Sequence, residues 1–322
     1  MKAICFEQTG NAQSVLSIKE VDKPAPKANQ VIIKLLGSPI NPADFLFIAG
    51  SYRFKPEFPQ IAGLEGAGII DSVGDGVDLI VGSLVSFFSK NAWAEYVAVP
   101  KEELFVLPPE FPVDKAIQFA LNPITAWGLL EQANLQTGDW LVLTAGNSAV
   151  SHLIAKIAKQ RNINVIATVR NSKYKAALNA IGATAINVTD ENLTVRIQQL
   201  TNCKGVATVL DAVGGNTGTE LLQCLQLNGK FIIYGKLDPA PIQFHNSTIQ
   251  YKNLSITAFG IRAYLAGKSD KQKAEIVQSL IRIIGDPDFK MAVAATYKLE
   301  EYNKAIQTVL ENTKEGKVIF KV

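Results

Sequence analysis

A chain of 322 residues, of which 48% are hydrophobic, can bury one large core or two ordinary ones, and two domains is the better expectation. With 32 basic and 29 acidic residues the net charge is +3, and the basic side chains are dispersed, which argues against a nucleic-acid partner; no apolar run approaches the roughly 20 residues of a membrane helix. Cys5, Cys203 and Cys224 are odd in number and far apart, as in a reduced cytoplasmic protein, and the start, MKAICFEQTG, turns polar too soon for a signal peptide.

Up to about residue 118, short apolar runs (QVIIKLLG, GAGIIDSVG, SLVSFFS, AEYVAVP) are broken by Gly, Pro and Asn, the pattern of a compact, strand-rich domain with few helices. From about residue 120 strands and helices alternate. WLVLTA leads into a helix through Gln160, NVIATVR into one through Ile181, ATAINV into one over 190–201, and VATVLDAV into one over about 216–227; KFIIYGK and LSITAFG follow. Six β segments joined by helices predict a doubly wound parallel sheet, that is, an α/β nucleotide-binding domain of Rossmann type. A helix over about 270–285 and strands in MAVAATYKL and KVIFKV then return the chain to its first domain, so the expected division is 1–119 with 263–322, and 120–262.

LVLTAGNSAVSHLIAKIAK, residues 141–159, is the place where a dinucleotide would bind, yet Gly146 is its only glycine. Such a turn needs close backbone approach to a pyrophosphate and unpaired N–H groups at a helix start. Ala149 and Ser151 are the next smallest residues after glycine, Asn147 and Ser148 can cap the helix or donate to a phosphate, and Val150 completes the first turn. About 20 residues on, where a carboxylate would select NADH, stands Arg170, with Ser172, Lys173 and Tyr174 beside it. A guanidinium pairs with a 2′-phosphate that a carboxylate would repel, so NADPH is the expected cofactor.

NPITAW at 122–127, the turn at 145–151, DAVGG at 211–215 and FPQIAGLEGAGIIDSVGDGV at 58–77 together resemble the medium-chain dehydrogenase/reductase superfamily, in order along essentially the whole chain. INPADFLFIAGSY and AWAEYVAVP are similar to its zinc-free quinone oxidoreductase and 2-enoyl thioester reductase branches. The resemblance implies a GroES-like, mostly β catalytic domain beside the Rossmann domain, a small-molecule substrate and a homodimer. It also implies zinc independence. Asn41 stands where zinc-dependent relatives have cysteine, and Gly63, Leu64 and Glu65 stand for their Gly-His-Glu; leucine cannot ligate zinc, and His152 and His245 lie elsewhere.

Without a Lewis acid, hydride transfer to a conjugated system is easier than to a simple ketone. Tyr52 matches the proton donor of enoyl thioester reductases, with Asn41 and Asp44 implied in the same cleft, although both suit helix capping equally well. The resemblance implies that Asn122 and Thr125 lie next to the nicotinamide, that the backbone of Phe259, Gly260 and Ile261 borders it, and that Glu65 has a salt-bridged structural role; Arg262 suits either a surface ion pair or an anionic substrate group. The expected activity is NADPH-dependent reduction of an enone or 2-enoyl thioester, with quinone reduction as the alternative and a weakly catalytic NADPH-binding sensor or structural protein as a further one.

Overall fold

The computed structural model describes residues 1–311 and 316–322. In chain order the first strands are β1 (Lys2–Phe6), β2 (Ser17–Glu20), β3 (Gln30–Pro39), β4 (Gln60–Ile61), β5 (Gly66–Val73), β6 (Leu84–Phe87), β7 (Tyr96–Pro100) and β8 (Leu104–Val106). The central ones are β9 (Trp140–Leu143), β10 (Asn164–Val169), β11 (Ala183–Asn187), β12 (Val206–Asp211), β13 (Leu225–Ile233) and β14 (Ser255–Ala258), and the chain closes with β15 (Val293–Tyr297) and β16 (Lys317–Lys321). Two compact units result, Met1–Pro123 with Val277–Val322, and Ile124–Ile276.

The first unit is mostly β. A three-stranded sheet runs β2-β1-β4, and a seven-stranded sheet runs β15-β16-β3-β5-β6-β8, with β7 also paired to β3. β3 shows why the short apolar runs fold this way: Val31, Ile33 and Leu35, at the two-residue period of a strand, pack with Ile70, Val85, Phe87, Val97 and Val99 into one core. Antiparallel pairing of β16 with β3 sets Ile319 opposite Pro39 and Phe320 opposite Ser38. Continued by two residues, the same register brings Lys317 opposite Asn41, and the Ile40 N–H donates to the Val318 carbonyl at 2.9 Å.

The second unit holds a six-stranded, all-parallel sheet in the order β11-β10-β9-β12-β13-β14. The direction of winding reverses between β9 and β12, so the carboxyl ends of these two strands flank the switch point where such sheets bind ligands. Val142, Ile166, Val209 and Phe231 from neighbouring strands pack with Ile197, Leu221 and Leu222 from covering helices. One expected element ends early: the helix over 216–227 is Gly215–Gln223, and Leu225 already pairs with Val206 in β13. LLQCLQL continues an apolar helical spacing, but the sheet takes Leu225 instead, and the register shift before the next pair, Thr208 with Lys230, absorbs the extra residues. Among the described residues no helix is long and apolar enough to cross a membrane.

Candidate active site

The glycine-poor turn is built as a helix start. Ser148 is the N-cap of the helix Ala149–Gln160; its Oγ accepts the Ser151 N–H at 3.2 Å and its carbonyl accepts the His152 N–H at 3.0 Å. A helix start leaves its first amides without intrahelical partners, and those of Ala149 and Val150 remain unclaimed by the protein. The Asn147 amide nitrogen is buried with no hydrogen-bond partner, and so is the Tyr234 hydroxyl. Burial pushes the Tyr234 phenol up to about 12, with the Asp211 charge adding to it, so it stays a donor at neutral pH.

The non-glycine residues have identifiable accommodations. Ala145 takes φ +49°, a left-handed conformation that costs an L-residue roughly 1–2 kcal/mol. Gly146 keeps the turn against β10: a Cβ there would meet the Ala167 Cβ at 2.8 Å and the Thr168 carbonyl oxygen at 3.0 Å. Ser151, in the place of a packing glycine, is fully buried and donates its hydroxyl to the Thr144 carbonyl at 3.2 Å. Buried Asp211 ties the two central strand ends together, accepting from Thr144 Oγ1 at 2.7 Å and from the N–H groups of Val213 and Gly214 at 3.0 and 2.9 Å. DAVGG marked Asp211 in the sequence, but nothing local paired it with Thr144.

Arg170 follows β10, exposed and without an ion pair among the described residues, and Lys173, also exposed, lies over the Tyr174 ring at 4.9 Å. The Ser172 hydroxyl is committed to Asp190 and Asn187, at 3.3 and 2.9 Å. A helix start with two free amides, two orphaned buried donors and a free cation at the end of the next strand fits the pyrophosphate and 2′-phosphate of a dinucleotide. Phe259, Gly260 and Ile261 follow β14, the Phe259 N–H donating to the Ile233 carbonyl at 2.8 Å, and Gly260 caps the helix Ile261–Ala266. Asn122 and Thr125 are buried in the first turn of the helix Asn122–Ala133, at 7% and 9% exposure.

The first unit contains a different kind of polar centre. Asn41 caps the helix Pro42–Ile48, and its N–H donates to Asp44 Oδ2 at 2.6 Å. Its amide nitrogen donates to Glu65 Oε2 at 2.8 Å, its amide oxygen accepts from Lys317 Nζ, and Glu65 Oε1 accepts the Leu121 N–H at 2.8 Å. Asp44 and Glu65 are fully buried and Asn41 is 1% exposed. Burial pushes Asp44 up to about 7, with the Glu65 charge adding to it, and pushes Glu65 up to about 7 against the pull of Lys317; burial lowers Lys317, against both carboxylates. One ammonium cannot balance two buried carboxylates, so near neutrality the pair retains a proton. The Lys317 contribution was invisible in the sequence, 276 residues from Asn41.

Tyr52 lies past the end of that helix, its N–H bound to the Leu46 carbonyl at 3.0 Å. The turn after the helix Pro42–Ile48 thus folds Tyr52 back to the level of Leu46. Its ring packs edge-on against Phe54, centroids 4.9 Å apart, and its phenol oxygen accepts from Arg53 Nη2 at 3.2 Å. A guanidinium can only donate, so this bond uses a phenol lone pair and leaves the phenol proton available. Among the described residues no group of His, Cys, Asp and Glu is gathered as a metal site.

Two family profiles match: an alcohol dehydrogenase GroES-like domain over residues 27–109 and a zinc-binding dehydrogenase over 149–280. The chain is 28% identical to a mitochondrial enoyl-[acyl-carrier-protein] reductase of Dictyostelium discoideum, covering 95% of this chain and 90% of the relative, and 26% identical to the human one, covering 97% and 86%. Its fold matches a Bacillus thuringiensis structure classed provisionally as an NADPH:quinone reductase, at 30% identity and TM-score 0.93, over 100% of this chain and 98% of that one. It also matches the Escherichia coli quinone oxidoreductase complexed with NADPH, at 23% identity and TM-score 0.92, over 100% of each chain, a likeness of fold.

Proposed function

This chain belongs to the medium-chain dehydrogenase/reductase superfamily, in its quinone oxidoreductase and enoyl reductase branch, and from that premise we propose that it reduces a conjugated carbonyl, an enone or 2-enoyl thioester, with NADPH and without zinc. The observation that carries the reading is the set of unclaimed donors at the helix start, Asn147 with the amides of Ala149 and Val150, together with unpaired Arg170. NADPH supplies the hydride when bound. The amides of Ala149 and Val150 and the Asn147 side chain would hold the pyrophosphate, and Arg170 and Lys173 would hold the 2′-phosphate. Tyr52, whose proton the Arg53 bond leaves free, would protonate the α-carbon of the reduced substrate; Arg53 would steady the phenolate so formed, which water would reprotonate. Asn41 acts through the buried cluster as a positioning residue, since both its amide atoms are engaged there. What supports zinc independence is the same cluster: Leu64 offers no ligand, and the Lys317 ammonium donates to the Asn41 amide oxygen while its charge favours ionised Glu65.

Mixing the protein and NADPH with a panel of enones, 2-enoyl thioesters and quinones, with and without a chelator, tests this. Loss of NADPH absorbance with an enone or thioester, unchanged by chelation, is the expected result. Turnover of quinones alone would favour the second reading, which the Bacillus structure supports. Binding of NADPH without turnover of any acceptor would leave a cofactor-binding protein, and stoichiometric zinc in purified protein would overturn the metal-free assignment.

The same reading includes a homodimer. β14 is an edge strand in which all four residues are exposed, and Tyr251 (79%) and Ile256 (36%) present apolar surface on and just before it. An unpaired edge of this kind is a template for a second copy of the strand. Sedimentation should give twice the chain mass, and a proline at Thr257 should give a monomer. The three cysteines, all free, fit a reducing compartment such as the cytoplasm.

A further inference from the structure

The segment after β14, whose backbone the family resemblance implies borders the nicotinamide, follows a strand that pairs within the described chain only with β13. Beyond that pairing and the Phe259 N–H bond to Ile233, its side-chain support comes from one helix, Asn122–Ala133. Gln132 Nε2 donates to Thr257 Oγ1 at 3.0 Å and to the Ala258 carbonyl at 3.4 Å, just before the segment. Phe259 packs over Gly128, where a Cβ would come within 2.7 Å of its ring atoms, and the Phe259 ring lies 5.5 Å from that of Tyr264. Beyond the segment, Glu131 Oε2 accepts from Tyr264 Oη at 2.8 Å and from Lys268 Nζ at 2.7 Å. Glu131 Oε1 accepts from Trp127 Nε1 at 2.8 Å, one turn earlier on the same face, and Arg161 covers that indole at 4.8 Å.

We propose that Glu131 is a positioning residue of the reductase: by holding Tyr264 and Lys268 against the helix Asn122–Ala133, it fixes the backbone of Phe259–Ile261 at the height the nicotinamide ring requires. The inference rests on the proposed function, because it assumes that this backbone borders the ring. The chemistry of the clasp suits a constant geometry. Burial raises the Glu131 carboxyl, but the hydrogen bonds from Lys268, Tyr264 and Trp127 outweigh it and hold the group below the usual range. Burial and the Glu131 carboxylate push Tyr264 far above the ordinary phenol range. The carboxylate therefore remains an acceptor and the phenol a donor throughout the neutral range. Three donors on one carboxylate leave it little rotational freedom, and Gly128 removes the side chain that would otherwise lift Phe259 off the helix.

The test compares Glu131→Leu, Glu131→Gln and Tyr264→Phe with the wild type in three measurements: affinity for 2′-phospho-ADP-ribose, which lacks the nicotinamide; fluorescence of bound NADPH; and kcat. Glu131→Leu should keep its affinity for the fragment within about 2-fold, lose the emission enhancement of the bound nicotinamide, and lose about 10- to 100-fold in kcat, the cost of a misplacement near 1 Å. Tyr264→Phe should move both nicotinamide readouts in the same direction by less, and Glu131→Gln should recover part of the loss. A folded Glu131→Leu with wild-type emission and kcat would overturn the proposal, and so would a fragment affinity that fell in step with that for NADPH. Should Glu131→Leu fail to fold, wild-type emission and turnover in the other two variants would overturn it equally. Wild-type protein that bound neither NADPH nor the fragment would overturn the parent reading and the clasp with it, whereas normal wild-type binding with indifferent variants would overturn the clasp alone.

Discussion

Asn41, Glu65 and Lys317 in the first unit and Asn147, Ala149 and Val150 in the second are both polar groups gathered at strand or helix ends, yet their hydrogen bonds end in different places. In the first, each Asn41 amide atom and each Glu65 oxygen has a partner within the protein, Asp44 Oδ1 alone is buried without one among the described residues, and a retained proton meets the remaining charge imbalance. In the second, the cap uses Ser148 alone, and the donors beside it are left without acceptors among the described residues although the Asn147 amide nitrogen is buried. An unmatched buried donor costs about 1–3 kcal/mol unless a ligand or water answers it. The contrast is one of degree and sign: the first cluster leaves one acceptor open, Asp44 Oδ1, whereas the helix start leaves several donors open together, the arrangement an anion requires.

The largest effect should come from opening the closed cluster. Lys317→Met removes the donor to the buried Asn41 amide oxygen and the charge that opposes the raising of both carboxyls, and should cost about 3 kcal/mol in urea unfolding; a loss below about 1 kcal/mol would mean that Lys317 does not hold the cluster. Next, Tyr52→Phe, which preserves ring packing on Phe54, should lower kcat about 10²-fold on an enone or enoyl thioester, leave NADPH affinity unchanged, and cost much less on a quinone, whose oxygens exchange protons with water. Equal activity on both substrate classes would reduce Tyr52 to a packed aromatic.

A smaller effect concerns pH. Asp44 and Glu65 are raised in the folded state to about 7, so the folded protein keeps protons that the unfolded chain releases in the ordinary carboxyl range. Their contribution is most favourable below that range and is lost as pH rises through about 7; lowered Lys317 acts in the opposite sense at higher pH. The melting temperature should therefore fall between about pH 5 and pH 8, and fall less in Glu65→Gln. Parallel pH profiles for the two proteins would remove the retained proton from the account. The smallest effect is Ser148→Ala, which should cost about 1 kcal/mol of stability by uncapping the helix while leaving the amides of Ala149 and Val150 free to bind.

Local pattern made much of this legible. The alternation of apolar strands and helices after residue 120 encodes the parallel sheet, because each element carries its own period, and the small residues at 145–151 mark a helix start even without glycines. The helix end near Cys224 was not legible, since LLQCLQL satisfies helical spacing while the sheet claims Leu225. Nor was the closed cluster: Asn41 and Glu65 read as cleft and structural residues in turn, but their shared cation arrives on β16 through strand register alone. Glu131 carried no motif, and only the fold brings Tyr264 and Lys268 to it.

The measurement that bears most directly on the account is a pair of titrations, NADPH and NADH, on the wild type and on Arg170→Ala. If the open donors of the second unit hold the pyrophosphate and Arg170 holds the 2′-phosphate, NADPH should bind at least about tenfold more tightly than NADH, a difference of about 1.4 kcal/mol, and the variant should lose that preference while still binding both. Equal affinities in the wild type, or an unchanged preference in Arg170→Ala, would contradict it.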